Sequence, residues 1–340
     1  MNLSERKRKI LSAVISENEK TGEPVSSKQL QGEHFSDISP ATIRGELATL
    51  EELGLLWHPH TSSGRLPTTD GIKFYVNEIL NSLEGKKLDS VVKNFNANLD
   101  NVSNELKLTA QKISEATNYT AVLYLGLYDL AKIEKVKLLK VSSDLTLVAI
   151  LTDYGVLEDF IELKLEENEL NEIEKSLTSI FAGKTLRDIQ NSNFLITQEI
   201  ERYKFMFDLI LKMVAKKEEE SNRIEIEGKS KILSQKNADL TFVKNAMEVF
   251  EEPDSLAPIL KNDSPEISVE IGSEDGLVKD CAIVTASYKA NGKVVGKAGV
   301  IGPVRMDYKK VIETLAGISR ELSKQLDIVK EQKWKIKKKN

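Results

Sequence analysis

The stretch WHPHTSSGRLPTTDG, from Trp57 to Gly71, concentrates side chains that could bind or transform a ligand. It holds two histidines, five hydroxyl side chains and one arginine, and it shows no apolar periodicity. His58 and His60 are two residues apart, which suits opposite faces of a strand, and no cysteine lies near them to complete a metal site. No nucleophile elbow accompanies them, so a Ser-His-Asp hydrolase site is disfavoured. The open interpretations are a polar turn and a loop that contacts a negatively charged partner.

Contact with a nucleic acid accounts for the composition of this loop. Small side chains and Gly64 would let backbone N–H groups approach phosphates, and a guanidinium can bind a phosphate or enter the minor groove. The loop residues that we expect to touch phosphate are Thr61, Ser62, Ser63 and Arg65. The rings of His58 and His60 can donate a hydrogen bond while neutral. Whether these two rings touch DNA or only brace the loop stays open.

Two capped helix starts precede the loop. Ser26 and Gln29 have capping-box spacing, and Ser39 followed by Pro40 marks a second start. The second helix is predicted over 40–53, with Gly54 as its end. Its predicted buried stripe consists of Ile43, Leu47, Leu50 and Leu53. A plain surface helix would show the same signals, so this helix alone does not decide the function.

The exposed face of the 40–53 helix suits a DNA major groove. Arg44 can donate a bidentate pair to guanine, and Thr42 and Ala41 can meet a thymine methyl or a phosphate. Ser39 is expected to contact phosphate. Two short strands are predicted on either side of the loop, around a turn at residues 63–64, and a helix is predicted to begin near Thr69. Residues 1–80 therefore show the element order of a winged helix-turn-helix.

The composition is that of a globular protein, with 40% hydrophobic and 30% charged residues among 340. The net charge of −5 means that a nucleic-acid interpretation depends on where the positive groups are presented. The single cysteine, Cys281, excludes a disulfide framework and a cysteine zinc site. We see no signal peptide and no apolar run long enough to span a bilayer, so a cytoplasmic protein without membrane association is expected. We predict no enzyme activity, no cofactor and no metal.

The rest of the chain predicts an α+β domain interrupted by a mostly helical insert. A long helix is predicted over 88–117, followed by strands near 120–128, 133–141, 145–152 and 156–163. A helical block follows, and the chain then returns to strands at 266–272, 281–288 and 293–302, the last two joined by an Asn291-Gly292 turn. A helix ends the pattern. Tyr119, Tyr124 and Tyr128 could line a ligand pocket, although packing is the simpler interpretation.

Two long motifs resemble those of the heat-inducible transcription repressor HrcA family. The first is SPATIRGELATLEELG with HPHTSSGRLPTTDGIKFYV, and the second is DCAIVTASYKANGKVVGKAGVIGPVRMDYKKVI. The middle of the chain is similar mainly in layout. One departure is Gly45, which stands where the family pattern usually carries a polar residue such as Asn.

The resemblance implies a dimeric repressor of chaperone genes. It would bind an inverted-repeat operator of the CIRCE type, with activity supported by the chaperonin GroEL. It also implies a GAF-like domain interrupted by a dimerisation insert. The resulting divisions are a winged helix-turn-helix (1–80), a first GAF-like segment with a linker helix (81–150), the insert (151–235) and a second GAF-like segment (236–340). The alternative is a regulator that senses a small molecule in a pocket of the GAF-like domain.

Overall fold

A computed structural model describes most of the chain. The described residues are 3–60, 64–83, 86, 88–90, 92, 102–126, 131–191, 203–221, 224–235, 240–262, 266–272, 281–290 and 292–337. They form a mixed α+β structure of helices and antiparallel sheets, as the sequence predicts.

The N-terminal part, which we call the head (3–83), consists of four helices and a small hairpin. These elements are α1 (Glu5–Thr21), α2 (Ser27–Glu33), α3 (Pro40–Glu52), β1 (Leu56–Trp57), β2 (Leu66–Pro67) and α4 (Thr69–Ser82). Both predicted helix starts are confirmed, because Ser26 Oγ accepts a hydrogen bond from Gln29 N and Ser39 Oγ accepts one from Thr42 N.

The head has its own apolar core. Ile43, Leu47 and Leu50 of α3 are buried there against residues of α1 and α2, as their helical spacing predicts. The prediction for Leu53 is wrong, because its side chain is 39% exposed. Leu53 is the C-cap of α3, and Gly54 in the left-handed region (φ 74°) turns the chain away there.

The segment between the head and the rest of the chain departs from the predicted helix over 88–117. The helix α5 covers Val102–Thr117, whereas residues 88–90 and Val92 are not helical. Ser90 Oγ donates to Val92 O and accepts from Val92 N, and such local bonds compete with a helix. Phe95 and Leu99, part of the predicted apolar seam, lie outside the described residues.

A five-stranded antiparallel sheet forms the centre of the molecule. Its strands are β3 (Thr120–Leu125), β7 (Glu225–Glu227), β8 (Ile267–Ile271), β9 (Cys281–Ala290) and β10 (Lys293–Pro303), in the spatial order β7-β3-β10-β9-β8. Gly292 has a φ of 75°, in keeping with the predicted turn between β9 and β10; Asn291 lies outside the described residues. Cys281 is buried in β9.

Helices cover both faces of this sheet. Alternate residues of β3 pack with α5 and with the final helix α11 (Tyr308–Lys337) on one face. The other face packs on the 3-10 helix Lys229–Ser234 and on α9 (Leu240–Glu251). Because both faces are covered, all six residues of β3 are buried.

Three further antiparallel strands form a second sheet, and among the described residues they pair only with one another and not with strands of the first sheet. Its strands, in spatial order, are β4 (Ile133–Lys140), β5 (Leu145–Thr152) and β6 (Gly155–Glu162). The helices of this part of the chain are α6 (Glu167–Phe181), α7 (Leu186–Asn191) and α8 (Lys204–Ser221). Thr178 Oγ1 accepts from Val136 N at 3.1 Å, which holds α6 beside β4. The predicted division between residues 150 and 151 falls inside β5.

The head contacts the remainder of the chain through α11 and the residues just before it. Arg320 Nη2 donates to Leu83 O at 3.5 Å, and Arg305 Nη1 donates to Gly22 O at 3.4 Å. The short helix α10 (Ala257–Leu260) lies on the opposite side of the five-stranded sheet, against β10. Within the described residues, no helix combines the length and the apolar character that a membrane span requires.

Candidate nucleic-acid interface

The N-terminus of α3 presents a fixed set of small polar groups. Ser39 Oγ accepts from Thr42 N at 3.1 Å and lies 2.9 Å from Thr42 Oγ1. Ser39, Ala41 and Thr42 are exposed, and Pro40 occupies the first helical position. The positive end of the helix dipole and the two hydroxyl groups therefore face outward at one place.

Arg44 lies one turn further along the same exposed side of α3. Its side chain is exposed, and it forms no ion pair among the described residues. The neighbouring acid Glu46 is held differently, because its carboxylate lies 2.9 Å from Lys7 Nζ and 3.7 Å from Arg6 Nη1. Glu46 is thus neutralised within the head, while the guanidinium of Arg44 is available to an outside partner.

Gly45 follows Arg44 on the open side of α3. A Cβ atom added there would have no heavy atom within 4 Å. Neither packing nor backbone conformation requires a glycine at this position, since its φ is not in the left-handed region.

The hairpin after α3 is closed by β1 and β2 and is extended by a third segment. Leu56 pairs with Pro67 and Trp57 with Leu66. Val25 N donates to Arg65 O at 2.9 Å and Arg65 N donates to Val25 O at 2.8 Å. The hairpin is therefore fastened to the chain just before α2.

The structure requires a glycine at position 64, but for a reason that differs from the predicted approach to phosphate. A Cβ atom at this position would lie 2.5 Å from the backbone carbon of Val25, so a larger residue would push the hairpin off the 24–25 segment. The glycine thus permits a backbone contact within the head. Thr61, Ser62 and Ser63, which we predict to touch phosphate, lie outside the described residues.

One carboxylate organises the base of the hairpin. Glu51, in the last turn of α3, contacts His58 Nδ1 through one oxygen and lies 2.8 Å from Arg65 Nε through the other. The side chain of Arg65 is 19% exposed, so Arg65 belongs to the base of the hairpin and not to its tip. His60 is exposed further along the loop.

The role of Glu51 is not visible in the sequence. It is brought to His58 and Arg65 by the path of the hairpin, and no motif spacing links these three positions. His58 accordingly has a bracing contact within the head.

A second group of ionisable side chains lies at the junction of α1 and α2. Ligand atoms of Glu17, Glu33 and His34 lie within 4.8 Å of one another. Lys20 Nζ is 2.7 Å from Glu17 Oε1, and this hydrogen bond lowers the pKa of Glu17 to about 2. His34 Nε2 is 3.0 Å from the same oxygen. Because an ammonium already occupies this carboxylate, the group is an ion-pair cluster and not a site with room for a cation.

Comparison with known proteins defines the class of the molecule. The sequence profile described as HrcA protein C terminal domain matches residues 103–312. A heat-inducible transcription repressor HrcA of Natranaerobius thermophilus is 34% identical over 337 residues, covering 96% of this chain and 98% of that protein. The one of Clostridioides difficile is 31% identical over 325 residues, covering 92% and 96%. The chain is therefore a transcription repressor.

The fold agrees with a solved structure. The crystal structure of a hypothetical protein at 2.2 Å resolution matches with a TM-score of 0.68 and 25% identity, covering 96% of this chain and all of that chain. The chain belongs to the HrcA family of heat-inducible transcription repressors, which confirms the resemblance found in the sequence. The family consists of repressors and not of enzymes, which also confirms the prediction of no enzyme activity.

Proposed function

We propose that this repressor binds double-stranded DNA through its head, which acts as a winged helix-turn-helix with α3 as the recognition helix. The observation that carries the proposal is the outward-facing N-terminal half of α3, where fixed hydroxyl groups, a helix N-terminus and Arg44 share one surface. In this arrangement Arg44 and Thr42 read base edges, Ala41 meets a thymine methyl, and Ser39 contacts phosphate.

The hairpin is the wing in this proposal. Its tip residues Thr61, Ser62 and Ser63 contact phosphate, and His60 approaches the backbone beside them. Arg65 contributes positive charge at the base of the wing. The pairing of Arg65 with Glu51 and Val25 supports a role in which Arg65 both orients the wing and faces phosphate.

We further propose that the repressor acts as a homodimer through the outer face of the three-stranded sheet. Leu139, Leu147 and Phe160 lie side by side across β4, β5 and β6 on this face. The side chains of Leu139 and Phe160 are 53% and 57% exposed. A contiguous exposed apolar patch is typical of a protein interface, and a two-fold partner would cover it with the same residues.

The dimer proposal is tested by Phe160→Glu, which would bury a charge within the patch in the dimer. We expect sedimentation to show monomers at concentrations where the unchanged protein is dimeric. The matched control is Leu233→Glu, since Leu233 is 66% exposed on the 3-10 helix Lys229–Ser234 and lies outside the patch. Equal dissociation in both variants would contradict the proposed interface.

The names of the relatives support the target that we propose for the repressor. Its relatives are named as heat-inducible repressors, which fits an operator upstream of heat-shock chaperone genes. A two-fold dimer presents two recognition helices, so the operator would be an inverted repeat of the CIRCE type. The chaperonin GroEL would modulate the activity.

The described residues after the head, from 86 to 337, which we call the body, fit a GAF-like domain interrupted by an insert. The support is that β3 and the strands from β7 onward share one sheet, whereas β4–β6 pair among themselves. The insert proposed here therefore begins before β4 and ends before β7, earlier at its start than the predicted 151–235.

The proposal is tested by titrating DNA from upstream of a chaperone operon with the full chain at several salt concentrations, with and without chaperonin. We expect an inverted-repeat fragment to bind at least a thousandfold more tightly than a scrambled fragment, as specific DNA-binding proteins do. Equal affinity for both fragments at every salt concentration would exclude sequence-specific binding.

A further inference from the structure

A basic cavity lies between the three-stranded sheet region and the five-stranded sheet. Its volume is about 520 Å³, within the range of small-molecule sites. One wall comes from Lys132, just before β4, and from Thr185, Arg187 and Asp188 around the start of α7. The opposite wall comes from residues 260–262 at the end of α10 and from 293–296 of β10. The cavity is therefore shared by the two regions of the body that have separate sheets.

The charge of this lining is opposite to that of the whole chain. Four cationic side chains contribute, namely Lys132, Arg187, Lys261 and Lys293, and Asp188 is the one acidic residue among the lining residues. The chain as a whole carries a net charge of −5. Cations converging on a concave site from several segments produce a local positive potential that attracts an anion.

Asp188 offsets only part of this potential, because its single carboxylate stands against four cationic side chains. It accepts a hydrogen bond from Thr185 N at 3.0 Å. This bond is the leading cause of a lowered pKa, with a further contribution from the positive charge of Lys132. Asp188 thus shapes the turn before α7.

A buried lysine lies behind the β10 wall of the cavity. Lys297 is 1% exposed, and its ammonium donates to Ile259 O at 3.0 Å and to the side-chain oxygen of Asn262, a lining residue. Lys261 Nζ lies 5.0 Å from the ring centroid of Tyr124, which also lines the cavity. The wall therefore combines an oriented amide, an aromatic ring and a desolvated positive charge.

We propose that this cavity binds a small polyanion with at least two phosphate or carboxylate groups. A single anionic group would satisfy the cations of one wall only, whereas a polyanion can contact Lys132 and Arg187 on one side and Lys261 and Lys293 on the other. The bound ligand would connect the two regions of the body. This inference is independent of the proposed DNA contacts, so either can fail without the other.

The test is calorimetric titration of the full chain with inorganic pyrophosphate and, separately, with citrate. Sodium chloride of matched ionic strength is the control for screening. We expect saturable binding of one anion per chain for pyrophosphate, citrate or both, and the stronger of the two identifies phosphate or carboxylate chemistry. Saturable binding of neither anion would overturn the proposal.

Three variants locate the site and test the bridging. Lys132→Gln removes a charge from one wall and Lys293→Gln removes one from the other, and we expect each to weaken binding about tenfold, as for the loss of a charge-assisted contact. Lys244→Gln is the matched control, because Lys244 is exposed on α9 and lies outside the cavity lining. Equal weakening by Lys244→Gln would overturn the site, and an effect of one wall only would overturn the bridging. A thermal unfolding curve recorded without ligand checks that each variant is folded.

Discussion

The carboxylate of Glu51 contacts two residues that the sequence assigns to the DNA surface, His58 and Arg65. A carboxylate and a phosphate compete for the same guanidinium, since both match its paired donors. Glu51 therefore orients Arg65 in the free protein and, in the proposed complex, would compete with DNA phosphate for its guanidinium. Arg44 has no such competitor among the described residues, so we expect the two arginines to respond differently to substitution.

The first prediction at the residue scale concerns Arg44→Ala. It should reduce the preference for operator over scrambled DNA by about 1–3 kcal/mol, the discrimination that one bidentate arginine–guanine pair provides. The measurement is competition binding at a single salt concentration. Arg44→Lys is the matched control, because it keeps the charge and loses the bidentate fork. An unchanged preference in Arg44→Ala would show that α3 does not read bases through this residue.

The second prediction compares Arg65→Ala with Glu51→Gln. Arg65→Ala should weaken binding to all DNA sequences and lower the slope of log affinity against log salt by about one, since one phosphate contact is lost. Glu51→Gln should strengthen DNA binding, because the competing negative charge is removed while Arg65 remains. The same salt titration measures both. If Arg65→Ala lowers only the thermal stability and leaves the slope intact, Arg65 is a brace alone.

At the residue scale the sequence predicts well which side chains form local hydrogen bonds, and it predicts poorly which distant residues they contact. The capping roles of Ser26 and Ser39 depend on neighbours three residues away, so spacing alone is sufficient. The contact of Glu51 with Arg65 and that of Gly64 with Val25 depend on how the hairpin folds back, which no local rule specifies.

At the scale of single elements, Gly45 lowers the stability of α3, and a substitution can remove this cost. Gly45→Ala should stabilise the head by roughly 0.5–1 kcal/mol, because a glycine inside a helix costs conformational entropy and the added Cβ meets open space. Thermal or urea unfolding measures the change. Gly64→Ala is the matched control and should destabilise the head, since its Cβ would collide with Val25. Stabilisation by Gly64→Ala would contradict the described hairpin packing.

The elements also show where periodicity misleads. Strands β3–β6 and β8–β10 lie within a few residues of their predicted bounds, because each alternates or runs apolar between clear turns. The predicted helix over 88–117 begins too early. Val92 fits the apolar spacing but is buried outside any helix, next to a segment whose Asp89 O lies against Gly317 of α11. At Val92, therefore, an apolar residue at helical spacing is explained by burial outside a helix.

At the scale of the whole molecule, two carboxyl groups repel each other between the head and the body, namely those of Glu19 and Asp307. Burial raises the pKa of Glu19 in α1 to about 7, and the negative charge of Asp307, just before α11, adds to this effect. The ordinary value is 4.5. Between these two values the folded protein retains a proton that the unfolded chain releases, so stability falls as pH rises through this window and is lowest above it.

Glu19→Gln should therefore raise the melting temperature at pH 8, by about 2 °C for a change of order 1 kcal/mol, and should have little effect at pH 4. Melting curves across this range measure the difference. Glu17→Gln is the contrasting control: Lys20 lowers the pKa of Glu17, so its removal should reduce stability at neutral pH. An equal effect of Glu19→Gln at both pH values would exclude the titration.

The arrangement of the whole molecule was only partly predictable. The sequence predicts the split of strands into groups, because a helical block interrupts them. It does not predict that β4 and β5 leave the first sheet, since a strand carries no local mark of the sheet that it joins. Long-range packing decides which sheet a strand joins. The predicted division after residue 150, which is based on local patterns, therefore falls inside β5.

The pairing of β3 with β10 has a consequence for how the chain is made. Leu125 lies opposite Gly296, so an early strand finds its neighbour close to the end of the polypeptide. During translation β3 must emerge from the ribosome with an apolar surface and an unpaired edge, and it stays so until β10 is synthesised. Contacts this distant close slowly, and nascent chains in that state are prone to aggregate. We therefore expect the yield of active repressor to depend on the chaperone capacity that is available in the cell when the chain is synthesised.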